Sequence, residues 1–217
     1  MQKPAPTQYP VHDLIERRWS PRAFADRAVP AEELCRIFEA ARWAPSSANE
    51  QPWSFVLTTK EVKTDYDRLF SCLHPGNQLW AGQAPVLMLS IAKLNFDEDQ
   101  SPNRHAFHDV GMAVENLILQ ALTQGIFVHQ MAGFEVEKAR DLLNLPAGHE
   151  PVAMIALGYL GDPNTLPEEL RRREGALRTR RPITEFVHAG RWGQSLSPLN
   201  VSALPGNPPV TRAGGPE

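Results

Sequence analysis

The 217 residues suffice for one domain with a substantial core, and 42% apolar with 22% charged residues is ordinary for a soluble globular chain. The formal net charge of -3 provides no general attraction to nucleic acid or to an acidic membrane, so any anion must be bound by a local cluster. Two cysteines exclude a disulfide framework, and the most apolar stretch, 84–92, is too short to span a bilayer, which predicts a cytoplasmic protein.

Hydrophobic periodicity predicts helices alternating irregularly with strands. Residues 30–43, for example, place Leu34, Ile37, Phe38 and Ala41 on one helical face. In chain order the predicted helices are 11–18, 30–43, 61–73, 105–124 and 135–144, and the predicted strands are 53–60, 84–93 and 151–160, with 126–131 a strand or an extended segment. This mixture lacks strict βαβ alternation and therefore predicts an α+β fold.

The ends of the chain differ in composition from its middle. Residues 1–10 contain three prolines and no apolar run typical of a signal peptide, which predicts a flexible N-terminal arm. Residues 195–217 are proline-rich and lack any helical or strand period, so we expect a tail that is disordered or ordered by a partner. A single domain is predicted between them, over 11–194.

A basic stretch, residues 17–24, reads RRWSPRAF. It places Arg17, Arg18 and Arg22 around the hydroxyl of Ser20, and guanidinium groups present paired donors that suit a phosphate. Arginines at the end of a helix also interact with its last carbonyl groups or pair with surface carboxylates, and for this stretch alone that use is the more frequent one.

A polar stretch, residues 44–55, joins a predicted helix to a predicted strand and reads APSSANEQPWSF. Its hydroxyl, amide and backbone N–H groups can match the donors and acceptors of a planar heterocycle, and its small residues allow close approach. A rigid turn with Trp53 packed in the core is the alternative, but the many directed polar groups favour a binding loop. The candidate residues are Pro45, Ser46, Ser47 and Asn49.

A third stretch, residues 177–182, reads LRTRRP. Arg178 and Arg180 occupy alternate positions, so in an extended segment they point the same way and can share one target. A solvated run of charge is the alternative interpretation.

Other site types find little support in the sequence. No glycine-rich phosphate loop is present. His105 and His108 lie three residues apart beside Asp109, but a third ligand with fitting geometry is not evident, so no metal site is predicted.

Taken together, these stretches resemble the FMN-dependent nitroreductase family over about residues 11–188. The family's pattern A-P-S-x-x-N-x-Q-P-W-x-F is complete over 44–55, and residues 109–125 and 129–134 resemble its central helix and its flavin-facing segment. The pattern R-x-S-x-R/K-x-F is present as Arg18, Ser20, Arg22 and Phe24, and the late basic pair before a proline as Arg178, Arg180 and Pro182.

The resemblance implies a nitroreductase-like sandwich: a central, mostly antiparallel sheet flanked by helices, in an intertwined homodimer with FMN at the interface. Arg18, Ser20, Arg178 and Arg180 would hold the phosphate and ribityl chain, while Arg22 would lie near the pyrimidine edge as an electrostatic stabiliser. The complete set of expected cofactor-binding residues is Arg17, Arg18, Ser20, Arg22, Pro45, Ser46, Ser47, Asn49, Asn77, Met131, Ala132, Gly133, Arg178 and Arg180.

The implied activity is hydride transfer from NADH or NADPH through the flavin to a nitroaromatic, quinone or enone, with no strictly catalytic side chain. A flavin-binding or interaction protein without turnover is an alternative, as is a dehalogenase or flavin-cleaving member of the same fold. Ala132 replaces a glutamate of some relatives and Trp80 a basic residue of others, so we expect a less polar pocket. Neither nucleic acid nor a membrane is expected as a partner.

Overall fold

Four antiparallel strands form the sheet on which the fold is built, in the order β1-β2-β4-β3. The computed structural model describes residues 2–194 of the chain. The strands are β1 (Trp53–Thr59), β2 (Val86–Lys93), β3 (Ile126–Met131) and β4 (His149–Tyr159). The register of β2 against β4 shifts between Ser90 and Ile91. Every pairing is antiparallel, which confirms the α+β prediction.

Helices cover both faces of this sheet. They are α1 (Asp13–Arg17), α2 (Ala31–Arg42), α3 (Lys63–Phe70), α4 (Pro75–Ala81), α5 (Ala106–Thr123), α6 (Val136–Leu142) and α7 (Glu168–Gly175). Successive residues of β2 point to opposite faces, so Leu87 and Leu89 pack with α3 and α4 while Val86 and Met88 pack with α2 and α5. The core therefore has two halves separated by the sheet. Among the described residues, no helix combines the length and apolar character needed to cross a membrane.

The segment that follows α1 is fixed to the end of β4. Ala25 donates a backbone hydrogen bond to the Tyr159 carbonyl over 2.9 Å, and Gly161 donates one to the Ala23 carbonyl over 2.9 Å. Phe24, which forms a bridge with Leu160, is buried. The basic stretch 17–24 is thereby held against the sheet instead of trailing into solvent.

Chain contacts divide the described residues into two units, one that ends at Arg178 and one that begins at Thr179. In the first unit, the Ala5 amide donates to the Glu16 carbonyl over 2.8 Å, so part of the predicted N-terminal arm contacts α1. In the second unit, a short 3₁₀ turn covers Ile183–Glu185. The predicted tail, 195–217, lies outside the described residues, and the three-part division of the chain stays a prediction.

The predicted helices and strands are all present, with ends that differ by a few residues. The helix predicted over 61–73 is shorter, and the strand predicted over 151–160 begins earlier, at His149. Helix α4 was not predicted, because its PGN start has poor helix propensity. It forms because Trp80 and Ala81 are buried in the core.

The close approach of Gly161 to Phe24 predicts a stability defect in Gly161→Ala. An added Cβ would lie 2.5 Å from the Phe24 carbonyl oxygen, so the Phe24 backbone would have to move. We expect a loss of about 1–3 kcal/mol in the free energy of unfolding, measured by urea denaturation. Gly76→Ala is the matched control, because nothing lies within 4 Å of its added Cβ. Equal stability of the two variants would contradict the predicted backbone clash.

Candidate functional site

The first part of the candidate site is the turn after α1. Arg18 Nη1 donates to Ser20 Oγ over 3.3 Å, so these two predicted residues lie side by side. Arg17 instead pairs with Asp13 on its own helix, at 2.7 Å between Nε and Oδ2, and is exposed. Arg18 and Ser20 thus form a donor pair, whereas the place of Arg17 in the site stays a prediction.

A buried carboxylate organises the next residues of this segment. Glu174 of α7 is 1% exposed, and its Oε1 accepts hydrogen bonds from the backbone amides of Arg22 (2.8 Å) and Ala23 (3.2 Å). Arg22 Nη1 lies 3.8 Å from Glu174 Oε2. Burial is the main cause that lowers the pKa of Arg22, and nearby Arg173 adds to it, while Glu174 opposes both.

Two more cations, Arg178 and Lys3, lie near Glu174 and are held by backbone carbonyls. Arg178 Nη1 donates to the carbonyls of Lys3 (2.8 Å) and Glu16 (2.6 Å). Lys3 Nζ donates to the Glu174 carbonyl over 2.7 Å and lies 4.9 Å from the centre of the Trp19 ring. Burial lowers the pKa of Lys3 against the opposing effect of Glu174, and Arg178 lowers it further. We call Lys3, Arg22, Glu174 and Arg178 the cationic cluster.

Of the predicted arginine pair, the first unit holds only Arg178. Arg180 lies in the second unit, where it is exposed and its Nη1 donates to the Thr179 carbonyl over 2.8 Å. The predicted convergence of Arg178 and Arg180 on one target therefore stays a prediction.

The polar loop between α2 and β1 is a strained and well-anchored bend. Three non-glycine residues have positive φ, Ala48 (51°), Asn49 (56°) and Gln51 (51°), and each such conformation costs about 1–3 kcal/mol. Gln51 N donates to Ser46 Oγ over 3.0 Å. Non-glycine residues keep this geometry only where surrounding structure imposes it, so the bend is a functional candidate.

Asp109 supplies the main anchor of that bend. It is 2% exposed on α5, and its Oδ2 accepts a hydrogen bond from Ser47 N over 3.0 Å. Sequence reasoning considered Asp109 only beside His105 and His108, as part of a metal site. In residues 2–194, no cluster of three or more His, Cys, Asp or Glu side chains is placed to hold a metal.

The segment after β3 is held by α4. The Gly133 carbonyl accepts hydrogen bonds from Asn77 Nδ2 (2.9 Å) and from His74 N (3.0 Å). A Cβ at Gly133 would lie only 2.8 Å from Asn77 Nδ2, so a larger residue would displace the Asn77 amide that holds this backbone. Met131 is buried, and Ala132 is exposed beside them. Asn77 therefore positions the predicted flavin-facing backbone.

His129 connects this segment to the basic stretch, and sequence reasoning missed it. Its Nδ1 lies 2.7 Å from the Pro21 carbonyl, so the neutral ring donates Nδ1–H there. Its ring centre is 4.5 Å from that of Trp80, which is itself buried. Burial lowers the pKa of His129 to about 4, and the charges of Arg22 and Arg18 contribute. A histidine on a strand gives no sequence signal for this role.

The described residues thus provide three elements: clustered cations, a rigid bend rich in polar groups, and a glycine backbone fixed by Asn77. These features suit a planar, hydrogen-bonding ring that carries an anionic tail. Pro45 and Asn49 of the bend have exposed side chains, as does Ala132 after β3.

Comparison with known proteins places the chain in a family. Residues 15–159 match the Nitroreductase family, and the chain belongs to it. A solved structure described as an oxidoreductase containing FMN has 35% sequence identity and a TM-score of 0.83, covering 88% of this chain and 97% of that one. The predicted nitroreductase-like fold is confirmed.

Two curated relatives are similar to more than half of the chain. An uncharacterised 15.4 kDa protein of Mycolicibacterium smegmatis is 35% identical over 131 residues, 60% of this chain and 86% of its own. A Stenotrophomonas maltophilia protein, provisionally named an NADH dehydrogenase/NAD(P)H nitroreductase, is 30% identical over 170 residues, 69% of this chain and 84% of its own.

The burial of His129 predicts a pH dependence of stability. Its pKa is about 4 in the fold against 6.5 ordinarily, so the unfolded chain binds more protons between these values and the wild type loses stability as the pH falls through that window. His129→Gln removes this loss, which amounts to at most about 3 kcal/mol. Urea unfolding should show that the free energy of unfolding of His129→Gln, relative to that of the wild type, is higher at pH 4.5 than at pH 7. Exposed His108 provides the control, His108→Gln; parallel pH profiles for wild type and His129→Gln would refute the assignment.

Proposed function

We propose that the protein is an FMN-dependent oxidoreductase that passes a hydride from NADH or NADPH through bound flavin to a small organic acceptor such as a nitroaromatic, quinone or enone. The observation that carries the proposal is the cationic cluster beside the Arg18–Ser20 pair, in the segment that the family pattern assigns to FMN. The family match and the FMN-containing structural relative support the same cofactor.

The donor set fits the phosphate of FMN. The Arg18 guanidinium and the Ser20 hydroxyl are adjacent, and charge-assisted hydrogen bonds of this kind contribute about 1.5–3 kcal/mol each. Arg178 is held by two backbone carbonyls, which fixes the direction of its guanidinium. Arg180 is assigned to the same phosphate from the family pattern.

The ring would rest against the strained bend and the Gly133 backbone. Pro45, Ser46, Ser47 and Asn49 would line it, because Asp109 holds their backbone in one conformation. Asn77 holds Gly133 in place, and a larger residue at 133 would displace the Asn77 amide. When bound, FMN supplies the chemistry by accepting a hydride and releasing the electrons to an acceptor.

The other residues of the site would act through their charge and by orienting the backbone. Arg22, whose backbone is fixed by Glu174, is assigned by the family pattern to the pyrimidine edge of the ring, where its charge would stabilise negative charge on the reduced ring. His129 is neutral at pH 7 and holds the Pro21 carbonyl, so it orients the segment without adding charge. No protein acid or nucleophile is required.

We also propose that the protein acts as a homodimer with FMN at the interface. Pro45, Asn49 and Ala132 are exposed in the single chain, although they belong to the proposed ring site. A second copy would cover the ring and exclude water from it. A cytoplasmic location is part of the same proposal.

Reductive dehalogenation is a second candidate, because an iodotyrosine deiodinase of Haliscomenobacter hydrossis is 24% identical over 191 residues. It would use the same FMN site with a halogenated phenol as acceptor. Halide release from a halogenated tyrosine, measured against reduction of a nitroaromatic, separates the two.

The experiment that tests the proposal is an absorbance spectrum of the purified protein, followed by reductive titration with NADH and NADPH. A flavin spectrum that bleaches with either nucleotide and recovers when a nitroaromatic is added supports the oxidoreductase. Bound flavin without turnover would favour a binding protein. Protein that is colourless and cannot be reconstituted with FMN would refute the proposal.

The phosphate assignment predicts that Arg18→Ala combined with Arg180→Ala weakens FMN binding by on the order of 100-fold or more, because two charge-assisted contacts are lost. Fluorescence titration of the apo-protein with FMN measures this. Arg36→Ala with Arg172→Ala is the matched control, since it removes the same charge from residues that pair with glutamates on their own helices. Equal FMN affinity of the two double variants would argue against the assignment.

A further inference from the structure

Glu174 is a buried carboxylate whose two oxygens have different surroundings. Oε1 accepts both backbone hydrogen bonds from Arg22 and Ala23. Oε2 is buried as well, yet it accepts no hydrogen bond from any described residue, and Arg22 Nη1 lies 3.8 Å away. A structural clamp would need only the first oxygen, so the second oxygen and the charge call for a separate explanation.

The surroundings of Glu174 are strongly cationic. Lys3 Nζ donates to the backbone carbonyl of Glu174, and Arg178 Nη1 donates to the backbone carbonyl of Lys3. The charge of Arg173 contributes to lowering the pKa of Arg22, so Arg173 is a further nearby cation. With so many cations nearby, the single buried carboxylate decides how much positive charge the cluster presents to a neighbouring ligand.

We propose that Glu174 is a positioning residue that offsets the charge of Arg22 and thereby lowers the reduction potential of the bound flavin; this rests on the proposed function. Reduced flavin carries more negative charge than oxidised flavin, so uncompensated cations beside it favour reduction. Glu174 holds the Arg22 backbone in place and at the same time weakens its field at the ring. The two oxygens thus perform two tasks, one geometric and one electrostatic.

Glu174→Gln separates these tasks. Glutamine keeps a carbonyl oxygen for the amides of Arg22 and Ala23 but loses the charge. We expect a potential that is more positive, with the reduced form favoured about tenfold, which is about 30 mV for a two-electron couple. The potential is measured by reductive titration of the FMN-loaded protein against a reference dye.

Lys3→Met tests the same idea with the opposite sign. It removes a cation from the cluster, so the potential should become more negative. The shift should be smaller than that of Glu174→Gln, because Lys3 is partly exposed. This variant also keeps the proposal testable if Glu174→Gln fails to fold. Glu169→Gln is the matched control, because Glu169 is an exposed residue of the same helix that pairs with Arg172, and its potential should equal that of the wild type.

The outcomes distinguish this proposal from the function on which it rests. Opposite shifts in Glu174→Gln and Lys3→Met, with none in Glu169→Gln, support it. A wild type that binds FMN and oxidises NAD(P)H, but whose potential is the same in both cluster variants, overturns this inference alone. A wild type that cannot bind FMN overturns both. Thermal unfolding of each apo-variant shows whether the clamp on Arg22 and Ala23 is retained.

Discussion

Repulsion between like charges is the constraint that this molecule has to satisfy around Glu174. Lys3, Arg22 and Arg178 come from distant parts of the chain, and bringing them together would be unfavourable without compensation. The fold supplies one buried carboxylate and several backbone carbonyls, which are acceptors for the cations. The same arrangement fixes the conformation of the Arg22 segment. Glu174 therefore both compensates the charge of the cations and fixes the Arg22 segment.

The bend before β1 contains unfavourable backbone conformations, and these too are stabilised by contacts with distant residues. Three left-handed, non-glycine residues would not hold their shape in a short peptide, so the strain must be offset by tertiary contacts. Asp109 binds the start of the bend, and Glu50 is paired with Lys93 of β2 at 2.6 Å. Both anchors belong to the body of the fold. The bend is thus held in one conformation by the body of the fold, and a ligand that bound there would not have to order it.

The sequence was sufficient for the periodic parts of the fold and for the family patterns, and insufficient for the anchors. Strand β2 is apolar almost throughout and helix α5 has little charge in its second half, so their burial could be predicted. Glu174, by contrast, sits in a run of arginines that has the composition of a solvated helix face, and its burial depends on residues about 150 positions away. Asp109 and His129 act through backbone groups of distant segments, which no local spacing reveals.

Trp80 shows how a departure from the family pattern fits the same electrostatic logic. Its ring is buried, stacks on Phe24 at 6.3 Å between ring centres, and contacts His129. A basic side chain at this position would add a buried cation next to a histidine whose pKa is already lowered by Arg22 and Arg18. A neutral aromatic ring avoids that cost and supports Pro21 through His129. Because the core beneath the basic stretch is neutral, Glu174 is the buried charge that governs the field of Arg22.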